Sequence, residues 1–432
     1  MYKIVFTLQN YDKIVNFVRH ENIQHTFDMK KKIVLLAAAL VALSAAAQPQ
    51  QRPASPVKPS DYQFTTVKEL PVTSMKNQAN SGTCWCFSAL SFIESEVIKA
   101  KSLKPEAYPD LSEMFVIRHS YHDRAEKYVR LNGFLNMAQG SGFGDVLEVI
   151  REYGIVPEKA YHGMNYGTEL PAQGELDGVL KGYVQAVVKN PNRKLTPVWM
   201  KGFDGILDAY LGEVPETFDV DGVTYTPESY RDALGINPDD YVNISSFTHH
   251  PFYTQFVIEV EDNWRWGLCY NLPLDEFMAV IDNAIDKGYT VAWGGDVSET
   301  GFTRDGLAVL VDTNVKPTGS DQERWVGGPD QRPAAAPQPK KELPKEIEVT
   351  QENRQQWFDE KTSTDDHGMH LYGIAKDQNG NKYYLIKNSW GVTGAYDGVW
   401  YMSENFVKGK TLNFVVNKKA LPKDIAKKLG IK

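Results

Sequence analysis

The chain has 432 residues, 42% of them hydrophobic and 24% charged, with a formal net charge of −8. That composition is ample for a large core and excludes a disordered or collagen-like chain. The acidic balance repels a phosphate backbone and argues against nucleic acid as a partner, and three cysteines are too few for a disulfide framework.

In chain order, the first expectation is a leader. Met29 to Ala47 places three lysines ahead of an apolar run that ends in small residues. This is the three-part pattern of a secretory signal peptide, and its apolar run is too short for a comfortable membrane span. Ala45-Ala46-Ala47 fits the cleavage site, so the mature chain is expected to begin at Gln48. It would be exported, periplasmic or secreted, without a stable membrane anchor. Residues 1–28 read as an over-extended start.

Residues 48–60 are rich in Gln, Pro and Ser and read as a flexible N-terminus, with globular sequence from Asp61. Phe87, Leu90, Ile93 and Val97 recur at helical spacing. Helical stretches follow over Leu111–Leu131 and Phe143–Tyr153, the latter with Gly154 as its stop. Residues of about 100–140 and 170–290 read as helical elaborations. Gly294-Gly295 reads as a turn or a cleft wall. The low-complexity stretch 316–345 reads as a surface loop. Strands dominate thereafter: a hairpin turn at Asn379-Gly380, then runs at Lys382–Ile386, Val399–Met402 and Leu412–Val416. A helix-rich first part followed by a strand-rich last part predicts an α+β fold, one half helical and the other an antiparallel barrel or sheet.

The chemistry concentrates in three places. Asn77 to Leu90 puts Cys84 at the start of a helix, behind a Ser-Gly turn, where unpaired N–H groups and the helix dipole favour a thiolate. Gln78, six residues earlier, offers a side-chain amide to an oxyanion, with the Cys84 N–H as a second donor. His367, in Asp365-Asp366-His367-Gly368-Met369, is the leading imidazole partner. His370 is its rival; three apart on a strand, the two face opposite sides. Asn388, in Lys387-Asn388-Ser389-Trp390-Gly391, is placed to fix the tautomer, and Trp390 to shield that bond from water. Cys86 and Cys269 read as packed core thiols. His249-His250 read as structural, since no further ligand stands near them at metal spacing. No metal or cofactor is expected.

These three elements, in this order and with the six-residue Gln-to-Cys spacing, resemble the papain superfamily of cysteine peptidases. Tyr153-Gly-Ile-Val-Pro157, Leu211-Gly-Glu-Val-Pro-Glu-Thr-Phe218, Asn271-Leu-Pro-Leu-Asp275 and Trp293-Gly-Gly-Asp-Val297 bring the resemblance closer to the bleomycin hydrolase and aminopeptidase C branch. It spans about 61–423. It implies a papain-like catalytic domain with Cys84 as nucleophile, His367 as base, Asn388 as orienter and Gln78 in the oxyanion hole. Gln139 to Asp145 corresponds to a Gly-rich substrate-binding segment, with Ser141 where the family often has Gly. Gly142 and Trp390 are therefore expected at the substrate.

The resemblance further implies peptide substrates and a homo-oligomer, a hexamer by analogy. The family's C-terminal arm normally enters the cleft and captures the substrate's amino group. Here residues 424–432 read as a short tail that falls short of it. A cysteine aminopeptidase is the leading expectation. An endopeptidase with an open cleft is the alternative, and a non-catalytic scaffold that kept the fold belongs to a third class.

Overall fold

The structure, a computed structural model, describes residue 55, residues 57–311 and residues 343–431. The leader at 29–47, residues 1–28 and nearly all of the 316–345 stretch lie outside the described residues. The globular part begins slightly earlier than Asp61. Val57 is buried in a small cluster with Tyr62, Val309 and Tyr383, because that contact gives an apolar side chain cover inside an otherwise polar segment.

The central element is helix α1 (Cys84–Lys101). Fourteen of its 18 residues are buried, far more than one apolar stripe requires. A helix covered all round lies inside the core, and α1 sits between a helical layer and a sheet. In the helical layer, α2 (Glu113–Arg130) starts at Ser112, whose hydroxyl accepts from the Phe115 N–H at 3.2 Å. Helix α3 (Phe143–Tyr153) stops at Gly154, with φ of +77°. A Cβ there would come within 2.3 Å of the Pro227 backbone, so the close approach and the dihedral both demand glycine. Helices α4 (Gly174–Val188) and α5 (Trp199–Leu211) pack on α2 and share one apolar core with α1.

The elaboration expected over 170–290 is helical at its two ends but not in its middle. After α6 (Pro227–Leu234), the chain enters strands Tyr241–Ser245, Gln255–Val257 and Leu268–Asn271 before α7 (Leu274–Asp286). These three strands extend the large sheet. They alternate too briefly, at three to five residues each, for their period to stand out in the sequence.

With β1 at Thr65–Glu69, β2 at Phe218–Val220 and β3 at Val223–Tyr225, those strands are β4, β5 and β6. The remainder are β7 (Val291–Gly295), β8 (Leu307–Ala308), β9 (His367–Lys376), β10 (Lys382–Lys387), β11 (Val399–Ser403) and β12 (Thr411–Asn417). The sheet runs β5-β6-β4-β12-β7-β9-β10-β11-β8, with β1 also on β9. It is mostly antiparallel, as expected, but β4/β6 and β11/β8 are parallel pairs. Gly294-Gly295 is not a turn; it lies in β7, with Gly294 opposite Gly368 and on the wall of a cleft. Helix α8 (Gln351–Asp359) precedes β9, and α9 (Glu404–Lys410) joins β11 to β12. The expected tail is also structured. Helix α10 (Lys423–Lys428) buries Ile425 and Leu429 against the sheet's core.

Beneath the junction of α1 and the sheet lies a buried ionic group. Lys76 Nζ sits 2.7 Å from both Glu113 and Asp110 and donates to the Leu111 carbonyl at 3.0 Å. Burial pushes the Glu113 carboxyl up, and Lys76 pulls it back. Lys76→Met is expected to cost about 3–5 kcal/mol, nearer the low end because Lys76 keeps an edge of solvent. The raised Glu113 binds its proton more tightly folded than unfolded, so the penalty is largest at alkaline pH and shrinks in acid. Urea melts of parent and variant across pH check both the size and the trend.

Candidate active site

Each element delivers its side chain for a local reason. Thr83 is the residue before α1, so Cys84 stands at the first helical position. The turn ahead is fixed by Ser81, whose hydroxyl donates to the Gln78 carbonyl at 2.7 Å. Gln139 clamps this turn from the Gly-rich segment: its Oε1 accepts from Gly82 N at 2.7 Å and its carbonyl accepts from Trp85 Nε1 at 2.9 Å.

Across the groove, β9 opens with His367. The next N–H, that of Gly368, donates to Cys84 Sγ at 3.4 Å, so the sulfur rests against the start of β9. A Cβ on residue 368 would meet Ser88 Oγ at 2.8 Å and Phe143 at 3.2 Å. Glycine is what lets the strand come this close to α1.

His367 is buried and its Nε2 lies 2.8 Å from Asn388 Oδ1. The same Oδ1 accepts from Ser389 N at 2.8 Å. A backbone N–H only donates, so the Asn388 oxygen, not its amide nitrogen, faces the ring. In the neutral ring Nε2 therefore carries the proton, and Nδ1 keeps its lone pair. Burial pulls the His367 pKa down to about 4, while the Asn388 bond works in the opposite direction. Trp390 packs against the imidazole with ring centroids 4.9 Å apart.

The rival imidazole points elsewhere. His370 is fully buried, with Nδ1 2.9 Å from Ser91 Oγ in the middle of α1. Lys387 Nζ reaches the same hydroxyl at 2.8 Å. The alternation of β9 separates the two histidines.

Gln78 is held from the Asn388 side. Its N–H donates to the Ser389 carbonyl at 2.8 Å, the Ser389 hydroxyl donates to its Oε1, and its Nε2 donates to Ser81 O at 2.7 Å. Gly142 precedes α3, and its N–H donates to Asp145 Oδ2 at 3.0 Å. Nothing lies within 4 Å of where its Cβ would be, so the backbone there is open. Ser141 turns inward, bonded to Asp145 and to Trp264 Nε1 at 2.8 Å.

Cys84, Gln78, Gly142, His367 and Trp390 line one cleft of about 1700 Å³, and Asn388 stands behind His367. Cys86 is fully buried, its thiol pushed up by burial, and Cys269 is buried beside Phe256.

Known proteins are similar to this chain over most of its length. The family described as papain family cysteine protease matches residues 58–174, and the peptidase C1-like family matches residues 341–431. The first match holds Cys84 and Gln78; the second holds His367 and Asn388. Aminopeptidase G of Lactobacillus delbrueckii subsp. lactis is 23% identical over 408 residues, covering 82% of this chain and 83% of that one. Aminopeptidase C of the same organism is 24% identical over 415 residues, covering 85% and 84%. This chain is a cysteine peptidase similar to the papain family and its C1-like relatives. The crystal structure of PepW from Lactobacillus rhamnosis HN001 shares the fold with a TM-score of 0.62 at 19% identity, covering 86% of each chain.

The peptidase site also uses residues to which the sequence reading gave no role. Ser389 ties Gln78 to the Asn388 loop, and Gly368 makes room for the sulfur. Both are motif neighbours of named residues, which is the signal that would have found them. His249 and His250 are a correction of another kind. Glu259, ten residues downstream, lies 3.0 Å from His249 Nε2 and 2.8 Å from His250 Nε2, so a carboxylate does stand beside them. The turn that brings it there is not visible as ligand spacing in the chain.

Proposed function

We propose that this peptidase removes residues from free peptide N-termini by acyl transfer. Cys84 is the nucleophile and attacks the scissile carbonyl. His367 Nδ1 takes the thiol proton and passes it to the leaving amine, then activates water against the acyl-enzyme. Asn388 holds the ring in the required tautomer, and Gln78 with the Cys84 N–H receives the oxyanion. Gly142 and Trp390 border the bound peptide. The observation that carries this reading is the 2.8 Å bond from His367 to Asn388 on the cleft wall where the Cys84 sulfur rests.

The exopeptidase part rests on the relatives' names and on charge. Ten carboxylates and four Lys/Arg side chains line the cleft, which favours a substrate bearing an α-ammonium. Asp365, two residues before His367, lies at the cleft's edge. Crowding around its carboxyl, and then the nearby Asp262, raise its pKa above the usual carboxylate range.

One observation favours an open, endopeptidase-type cleft instead. Among the described residues, none beyond Val415 lines the cleft. Helix α10 packs elsewhere, with Lys428 on Glu276. Digesting one peptide with free and with acetylated N-terminus, and reading the products by mass, separates the two. Stepwise trimming of the free form alone supports the aminopeptidase; equal internal cleavage of both forms defeats it. Export, from the leader-like 29–47, and homo-oligomer formation, from the family resemblance, belong to the same proposal.

A further inference from the structure

We propose that His249, His250 and Glu259 form a binding site for a divalent transition-metal ion at the rim of the cleft, separate from the Cys84 site. The two histidines lie in the turn after β4, opposite the segment that leaves β5. Both rings aim Nε2 at one carboxylate: His249 at Oε2, 3.0 Å away, and His250 at Oε1, 2.8 Å away. The three donor atoms lie within 4.8 Å of one another. Ligands bound at 2.0–2.1 Å around a tetrahedral zinc ion stand about 3.3 Å apart, so a small adjustment of side chains admits the ion. Two imidazoles with one carboxylate suit zinc and its neighbours better than magnesium or calcium, which favour all-oxygen sets.

The rings are also held in place. His249 stacks on Phe358 at 5.6 Å, and His250 stacks on Phe256 at 4.5 Å. Behind His249, Gln355 presents both an acceptor and a donor to Nδ1, at 3.3 Å and 3.0 Å. When a metal replaces the proton that His249 Nε2 shares with Glu259, the Gln355 acceptor is placed to hold the ring's proton on Nδ1, the tautomer a metal requires. Gln355 is itself fixed by the Thr248 N–H at 2.6 Å and by Asp359 at 2.8 Å. Glu259 and Phe358 line the cleft, so a bound ion ties this turn to the cleft wall.

The test uses the full chain carrying Cys84→Ala, which removes the active-site thiol as a competing soft ligand. Calorimetric titration with zinc sulfate at neutral pH is expected to show one equivalent bound, with a raised melting temperature. His250→Gln and Glu259→Gln in the same background are expected to weaken binding by more than about 100-fold and remove the melting shift, and Gln355→Leu by about 10–100-fold. Cobalt(II) supplies a second readout, independent of those variants: visible d–d bands without thiolate charge transfer support the site. Absence of binding, unchanged affinity in both ligand variants, or a thiolate charge-transfer band overturns it. Because binding is measured without the nucleophile, the outcome does not depend on the peptidase assignment.

Discussion

Cys84→Ala is expected to lower kcat on an aminoacyl reporter amide by about 10⁴–10⁶-fold, the range seen when the nucleophile of a cooperating set is lost. Its melting temperature should stay close to the parent's, because Cys84 is only partly buried on the cleft wall and alanine suits a helix start at least as well. The same variant isolates His367. With no sulfur to share a proton, burial keeps the imidazole neutral down to about pH 4. The unfolded chain takes that proton near pH 6.5. The folded pKa is therefore the lower one, and the stability this histidine contributes is present above about 6.5 and lost as pH falls toward 4. In the parent, ion pairing with a Cys84 thiolate is expected to oppose that burial and raise the imidazole's pKa. NMR titration of His367 in both proteins reads the difference. Full turnover in Cys84→Ala, or identical His367 titration in the two, would sink the pairing.

Gln78→Ala is expected to lower kcat by about 10²–10³-fold with little change in KM, since the amide meets charge that develops only after attack. Its carbonyl oxygen is already turned toward Ser389, which leaves the NH₂ end toward Ser81 and the cleft. Gln78→Glu keeps the shape but sets a carboxylate against the oxyanion, so it should not rescue the rate. Steady-state kinetics on a single reporter amide decide this. Equal losses in binding and turnover, or recovery with Glu, would mean that Gln78 serves only to shape the turn.

Much of the site was legible because its signals are local. A cysteine behind a Ser-Gly turn, an Asp-Asp-His-Gly run and a Lys-Asn-Ser-Trp-Gly run each carry their chemistry within a few residues. The hairpin at Asn379-Gly380 was legible for the same reason; Gly380 takes a φ of +86° that few other residues tolerate. The strands β4 to β6 were not. Each is short, and each is stable only as part of a sheet whose other members lie up to about 170 positions away, as Val415 does from its partner Asn243. The carboxylate beside His249 and His250 escaped because the turn between them folds back without a recognisable spacing.

Taken alone, the sequence determined which groups are available for acyl transfer, and that a helix start carries the sulfur. It also determined the order of helical and strand-rich parts. The tertiary structure decided which imidazole reaches the cleft that Cys84 lines. The one-residue register of β9 turns His367 toward the groove and His370 into α1. It also decided how far His367 is desolvated, and that Ser389 rather than solvent holds Gln78. Those outcomes depend on packing between segments nearly 300 residues apart. The free energy of such contacts is settled by burial and register, and neither is a property of any short stretch of chain.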